Sequence, residues 1–224
     1  MRPFVFINSA MSADGKISTI EKKQVKISGP EDFKRVDELK ASADAIMVGV
    51  ETVIADDPKL TIKSDELKNM RLKQALPENP LRVVVDSNAR TPTNATVVGP
   101  NTLIALSKSA PQNKLDELAR KVHVIIVGEK RVDLKELLSN LKRRGVRRLM
   151  VEGGGTLNFS LLNLGLVDEI YTYISNIVIG GANAPTLADG EGLVHDFVKL
   201  ELLDVNTLGR GLLVKWKVQQ AIDR

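Results

Sequence analysis

Five residues in the second half of the chain, Glu152-Gly153-Gly154-Gly155-Thr156, carry its most legible chemistry. They follow Leu149-Met150-Val151, an apolar run of the kind a buried strand makes. After them, Leu157, Phe159, Leu161, Leu162 and Leu164 supply the apolar positions of a helix ending near Gly165, with Thr156 as its N-cap. A strand, a glycine turn and a helix start together build an anion site. The first helical turn has unsatisfied N–H groups and a partial positive charge, and glycines let a phosphate approach the backbone. The turn is therefore predicted to hold the pyrophosphate of a dinucleotide, with a tight strand-to-helix turn that binds nothing as the alternative, since Asn158 stands where the G-x-G-x-x-G pattern needs its third glycine.

Further candidates sit at the ends of other apolar runs. Gly49-Val50-Glu51-Thr52 reads as a second glycine-to-helix turn, and Asp86-Ser87 and Gly128 end two more strands. In an open α/β sheet ligands bind beyond the carboxyl ends of the strands, so these groups are expected to face one crevice. The adjacent carboxylates of Asp56 and Asp57 are followed by Pro58. Asp57 is a candidate for proton handling or for holding a ribose hydroxyl, or alternatively caps the Pro58 turn. The chain has no cysteine and two histidines. His123, inside VHVIIV, reads as a strand residue, and His195 as a surface residue in an acidic loop. Disulfides and thiolate zinc sites are excluded, no metal is expected, and no nucleophile–base pair stands out. Hydride transfer fits best, because there the cofactor carries the chemistry and the protein orients it.

Apolar residues make up 43% and charged residues 27% of 224, the balance of an ordinary soluble protein. With neither a membrane span nor a signal peptide in view, a cytoplasmic location is expected. The net charge of +4 is concentrated at Lys142, Arg143, Arg144, Arg147 and Arg148. This cluster suits a helix C-terminus; a nucleic-acid patch over Arg143–Arg148 is the alternative. At 4% aromatic residues, stacking platforms for single strands are scarce, so a small-molecule partner is expected and nucleic acid is not.

The elements that must position these groups alternate. Strands are predicted at Phe4–Ile7, Ala45–Val48, Leu81–Asp86, Thr102–Leu106 and Val122–Val127, with a strand region at Val167–Ile179. Helices are predicted from Pro30 to about Ser42, at Lys114–Arg120 and at Leu134–Arg144, with Ser64–Asn79 partly helical. Val198–Val205 and Gly211–Val218 close the chain as an antiparallel pair around Leu208-Gly209-Arg210. The expected fold is α/β, a mostly parallel central sheet flanked by helices with an antiparallel C-terminal strand pair, in a single domain of residues 1–224.

Four motifs together resemble the riboflavin-biosynthesis reductase family. They are Ser12-Ala13-Asp14-Gly15, Gly49-x-x-Thr52-x-x-x-Asp56-Asp57-Pro58-x-Leu60-Thr61, Arg82-Val83-Val84-Val85-Asp86-Ser87 and Val151-Glu152-Gly153-Gly154. The resemblance spans nearly the whole chain. It implies a dihydrofolate-reductase-like fold, a homodimer and NADPH-dependent reduction of the ribosyl group of a phosphoribosylamino-pyrimidine to ribityl, with NADH as an alternative donor. Dihydrofolate reductase itself is disfavoured, because no Leu-Pro-Trp follows Asp14-Gly15 and the one tryptophan is Trp216.

The resemblance also implies roles. Ala10, Lys26, Thr52 and Asp56 match cofactor contacts; Val84, Asp86, Ser87 and Gly128, around the strand ends, are further cofactor-binding candidates. Gly154 through Ser160 match the turn and helix start that bind the cofactor phosphates, and Gly153, Gly154, Gly155, Thr156 and Leu157 are the cofactor-binding candidates there. Gln24, Lys40, Leu60, Lys63 and Glu152 match positions that grip the substrate and its 5′-phosphate. Without cysteine or room for a fused zinc deaminase, the chain is similar to the stand-alone archaeal type. That type acts on 2,5-diamino-6-ribosylamino-4(3H)-pyrimidinone 5′-phosphate, and direct hydride transfer to ribose C1′ through the ring-opened imine is the expected mechanism here. The deaminated 5-amino-6-(5-phosphoribosylamino)uracil is the alternative substrate. Ser87, Arg90 and Lys108 are candidates for the 2′-phosphate of NADPH.

Overall fold

Short β-branched runs separated by amphipathic segments dictate an alternation of strands and helices. The computed structural model describes residues 1–23 and 25–219. In chain order the elements are β1 (Phe4–Met11), α1 (Pro30–Ser42), β2 (Ala45–Gly49), α2 (Val50–Asp56), α3 (Asp65–Lys73), β3 (Leu81–Val85), β4 (Thr102–Leu106) and α4 (Gln112–Ala119). There follow β5 (His123–Ile126), α5 (Leu134–Arg143), β6 (Arg148–Val151), α6 (Gly155–Asn163), β7 (Glu169–Ile174), β8 (Leu200–Leu208) and β9 (Gly211–Val218). They form two compact units, one of residues 1–3 and 37–150, the other of residues 4–36 and 151–224.

In the first unit the strands lie in the order β5-β4-β3-β2-β6. The β2–β3, β3–β4 and β4–β5 pairs are parallel, with Ala45 opposite Leu81, Arg82 opposite Thr102 and Leu103 opposite His123. Central strands covered on both faces read as continuous apolar runs, and Ile46, Met47, Val48, Val83, Val84 and Leu103 to Leu106 are all buried. His123 is an exposed residue of β5, the strand that ends this order. The α5 helix starts where the Asp133 carboxylate accepts the Glu136 N–H at 2.9 Å. Its Leu134, Leu137, Leu138 and Leu141 form one buried stripe at helical spacing.

One feature of this unit has no sequence signature. Arg71, on α3, is 2% exposed. Its Nη1 donates to the carbonyls of Ala41 and Ala43, each at 2.8 Å, and its Nε donates to Pro77 O at 2.9 Å. The guanidinium thus satisfies carbonyls at the α1 C-terminus, where a helix leaves acceptors unpaired.

In the second unit β1 and β7 are parallel, from Phe6 opposite Glu169 to Met11 opposite Ile174. The β7–β9 and β8–β9 pairs are antiparallel, with a register shift between Leu202 and Asp204. The closing pair is as expected, except that β8 runs from Leu200 to Leu208 and is exposed almost throughout.

Two expectations need correction here. Within the predicted strand region Val167–Ile179 only β7 is strand, because the backbone beyond it bonds to the end of β1 and the turn after it. Ser175 N donates to Met11 O at 2.8 Å, and Ala13 N to Ile177 O at 2.7 Å. The α6 helix also begins earlier than predicted. Gly154, not Thr156, is its N-cap and makes no side-chain cap bond, so Thr156 lies exposed inside the first turn. Among the described residues no helix is long and apolar enough to cross a membrane.

Candidate active site

The glycine turn is a close-approach structure within the second unit. Gly153 has φ of +104°, which glycine adopts without a Cβ penalty. A Cβ on Gly155 would stand 2.4 Å from Asp189 Oδ2 and 2.6 Å from Thr186 O, so no side chain fits there. From this turn α6 runs with Gly155 and Leu157 buried and Thr156 exposed. The N–H groups of its first turn have no intrahelical acceptors, and the helix dipole adds a partial positive charge. The predicted glycine turn and helix start thus lie within this unit, and a phosphate group fits their chemistry. Glu152, half-buried, precedes them.

The turn after β1 belongs to the same unit. The Asp14 carboxylate accepts the N–H groups of Ile179 at 3.0 Å and Gly180 at 2.7 Å, and the Ser12 hydroxyl at 2.6 Å. These bonds favour the ionised form and lower its pKa to about 2. Ala10 lies near the end of β1 opposite Tyr173. Lys26 is exposed, with Nζ 6.0 Å from the Phe33 ring centroid. Gln24 lies outside the described residues.

The first unit gathers the other predicted strand ends. Gly49 is the N-cap of α2 and pairs with Val85, so the second glycine turn and Asp86 stand side by side. Ser87 O accepts the Ser107 hydroxyl at 2.8 Å, and Gly128 O accepts Lys108 N at 3.0 Å. Gly128 has φ of +83°, and a Cβ there would lie 2.2 Å from Arg131 O. Three of the four predicted groups thus share one end of one parallel sheet, where the topology rule puts ligands.

The side chains at these ends differ from their expected uses. Val84 is fully buried in the core. Asp86 is also fully buried, and its Oδ2 accepts both the N–H and the hydroxyl of Thr91 at 2.7 Å. Its Oδ1 is buried with no hydrogen-bond partner among the described residues. The Ser87 hydroxyl accepts Val132 N at 3.0 Å. In this structure both side chains shape the turn from within. Of the 2′-phosphate candidates, Arg90 pairs with Glu51 at 2.6 Å and Lys108 with Glu129 at 2.6 Å.

The two adjacent carboxylates stand in different environments. Asp56 ends α2 half-buried, and burial pushes its carboxyl above the ordinary range. Asp57 has φ of +42° and caps the helix through its N–H to Val53 O at 3.0 Å. Its oxygens accept the N–H of Thr96 at 2.6 Å and the Thr96 hydroxyl at 2.7 Å, which lowers its pKa. Thr52 is half-buried on the first turn of α2. Leu60, with φ of +52°, is buried, and Lys63 and Ser64 follow with their N–H groups on the Asp37 carboxylate, each at 2.7 Å. Lys40 lies in the last turn of α1. Among the described residues no group of three or more His, Cys, Asp or Glu could hold a metal ion.

Sequence reasoning missed Thr96, Thr186 and Asp189. Thr186-x-x-Asp189 has the spacing of a side-chain capping pair and was legible in principle.

The RibD C-terminal domain family matches this chain over residues 3–214. A protein of Archaeoglobus fulgidus named 2,5-diamino-6-ribosylamino-4(3H)-pyrimidinone 5′-phosphate reductase is 50% identical over 216 residues, covering 96% of this chain and 97% of its own. A protein of the same name from Methanothermobacter thermautotrophicus is 47% identical, covering 98% of this chain and 100% of its own. Among solved structures, a pyrimidine reductase-like protein from Corynebacterium diphtheriae superposes with a TM-score of 0.85. It is 21% identical, over 97% of this chain and 92% of that one. That likeness shows the fold: a mostly parallel sheet flanked by helices, with an antiparallel pair at the C-terminus.

Proposed function

The chain belongs to the RibD C-terminal domain family, and from that premise we propose that it is a reductase of riboflavin biosynthesis. Its substrate in this reading is 2,5-diamino-6-ribosylamino-4(3H)-pyrimidinone 5′-phosphate, whose ribosyl group it reduces to ribityl. The observation that carries the proposal is the 50% identity, nearly end to end, with the Archaeoglobus reductase. The glycine turn adds a physical reason, since a dinucleotide needs a phosphate cradle of this shape. The proposal includes a single reductase domain of residues 1–224 working as a homodimer in the cytoplasm, without nucleic acid or membrane as partner.

NADPH is the proposed cofactor, and when bound its nicotinamide supplies a hydride to C1′ of the sugar. Gly153, Gly154, Gly155, Thr156 and Leu157 hold the pyrophosphate with backbone N–H groups. Thr52, Asp56, Ala10 and Lys26 orient the nicotinamide and its ribose, and Gly128 keeps its strand end open. Val84, Asp86 and Ser87 support that end from inside. Lys40 and Lys63 offer point charges to the substrate 5′-phosphate, while Gln24, Leu60 and Glu152 contact the rest. Lysine lacks the bidentate fork of arginine, so phosphate recognition here rests on charge more than on geometry.

The test is loss of reduced-nicotinamide absorbance when the purified protein meets the aminopyrimidine phosphate, run beside its deaminated counterpart and with NADPH and NADH in parallel. Oxidation that depends on the aminopyrimidine is expected. A rate no higher than with cofactor alone would refute the reading. Faster turnover of the deaminated compound would reverse the proposed order of reduction and deamination.

A further inference from the structure

Thr186 and Asp189 stand outside every role given above, and we propose that they form a clasp that positions the first turn of α6 for the cofactor pyrophosphate. The inference rests on the reading of that turn as the phosphate cradle. The clasp lies between β7 and β8, in a connection from residue 175 to residue 199 that contains neither helix nor strand. Irregular connections longer than about 12–15 residues are uncommon in compact proteins and usually serve function.

The first part of this connection is tied down at each step. Asp14 holds its Ile179 and Gly180 N–H groups. Ile17 N donates to Pro185 O at 2.9 Å, and Lys16 Nζ to Ala184 O at 3.2 Å. The Asp189 carboxylate then accepts the Thr186 hydroxyl at 2.6 Å and the Thr186 N–H at 3.1 Å, closing a tight loop. That loop is seated on α6. Asp189 N donates to Gly155 O at 3.0 Å, and the buried Asn158 donates through Nδ2 to Leu187 O at 2.8 Å. Both contact points exclude a side chain: a Cβ on Gly155 would meet Asp189 and Thr186, and one on Gly190 would stand 2.2 Å from the Phe159 ring.

The clasp therefore grips the first residue of α6, and through Asn158 its fourth. Gly155, Thr156 and Leu157, whose N–H groups the cradle needs, fall within that grip. Asn158 also reaches the glycine turn, its Nδ2 lying 3.9 Å from where a Cβ on Gly153 would stand. Loosening the clasp lets the helix start shift against the turn, and displacements of about 1 Å at a binding constellation cost up to about 100-fold. A purely structural clasp would lower thermal stability alone, whereas a positioning clasp changes cofactor affinity selectively.

The experiment measures the NADPH dissociation constant by nucleotide fluorescence for the wild type, Thr186→Val, Thr186→Ser and Asp189→Asn. It adds kcat, both KM values and Tm for each protein. Thr186→Val and Asp189→Asn are expected to raise the NADPH Kd about tenfold. In those variants kcat at saturating cofactor and the KM for the pyrimidine substrate should hold. Thr186→Ser, which keeps the hydroxyl, should restore the wild-type Kd. Unchanged Kd with a lowered Tm would overturn the clasp while leaving the cradle intact. Wild-type protein that binds no NADPH would overturn the cradle, and the clasp with it. Should Thr186→Val fail to fold, the more conservative Asp189→Asn decides between the outcomes.

Discussion

Neighbouring carboxylates, Asp56 and Asp57, are driven apart in chemistry by their surroundings. Thr96 donates twice to Asp57 and keeps it ionised, which suits accepting a hydrogen bond rather than delivering a proton. Burial raises the Asp56 carboxyl, and of the pair it is the one proposed above to hold the cofactor. Asp57→Asn should accordingly keep kcat within about threefold, with an unmoved pH profile, while Asp56→Asn should lose about 100-fold. Steady-state kinetics across pH distinguish the two. Asp14 carries a prediction of another kind. Its carboxyl is lowered from 3.8 to about 2, so its contribution to stability is present above the higher value and is lost as pH falls toward the lower. The Tm of the wild type should exceed that of Asp14→Asn at neutral pH, and the difference should shrink as pH falls from about 4 through 2. At this scale the sequence was informative where backbone chemistry decides, as in Gly153 to Gly155. It was silent where a side chain finds a partner far along the chain, as Asp57 does with Thr96.

Elements were legible wherever hydrophobic period and length agreed. The α5 stripe, the buried β2, β3 and β4 and the closing β9 follow directly from apolar spacing. Boundaries failed where a glycine replaced the expected cap. Thr156 has the right chemistry for an N-cap, yet the chain turns two residues sooner because Gly154 can serve there without a side chain. The β7 strand was overextended because residues 175–179 are apolar enough to read as strand, while their backbone bonds turn toward the loop after β1. Gly128 offers an element-scale test. Its left-handed φ and the 2.2 Å approach to Arg131 O leave no room for a methyl group. Gly128→Ala should lower stability by about 2 kcal/mol or more by denaturant titration, through distortion of the turn leading into α5.

Across the whole molecule, the exposed β8 strand deserves a test of its own, because its apolar residues face solvent: Leu202 is 53% and Val205 48% exposed. An edge strand of this kind offers unpaired backbone groups and apolar side chains to another chain. The proposed homodimer predicts that Leu202→Lys combined with Val205→Lys yields a smaller species by sedimentation, and wild-type protein sedimenting as a monomer would refute it. The two-unit division was not legible, since no linker or change of composition marks residues 36–37 or 150–151. That division carries a consequence for synthesis. Emerging from a ribosome, β1 must wait for a partner about 160 residues downstream, as the Val5–Asp168 bond with its separation of 163 shows. Four strands of the first unit, β2 to β5, by contrast each pair with the strand next to them in the chain. Vectorial folding should therefore complete the unit encoded in the middle of the message first, leaving the opening strand exposed to chaperones until translation has passed residue 174.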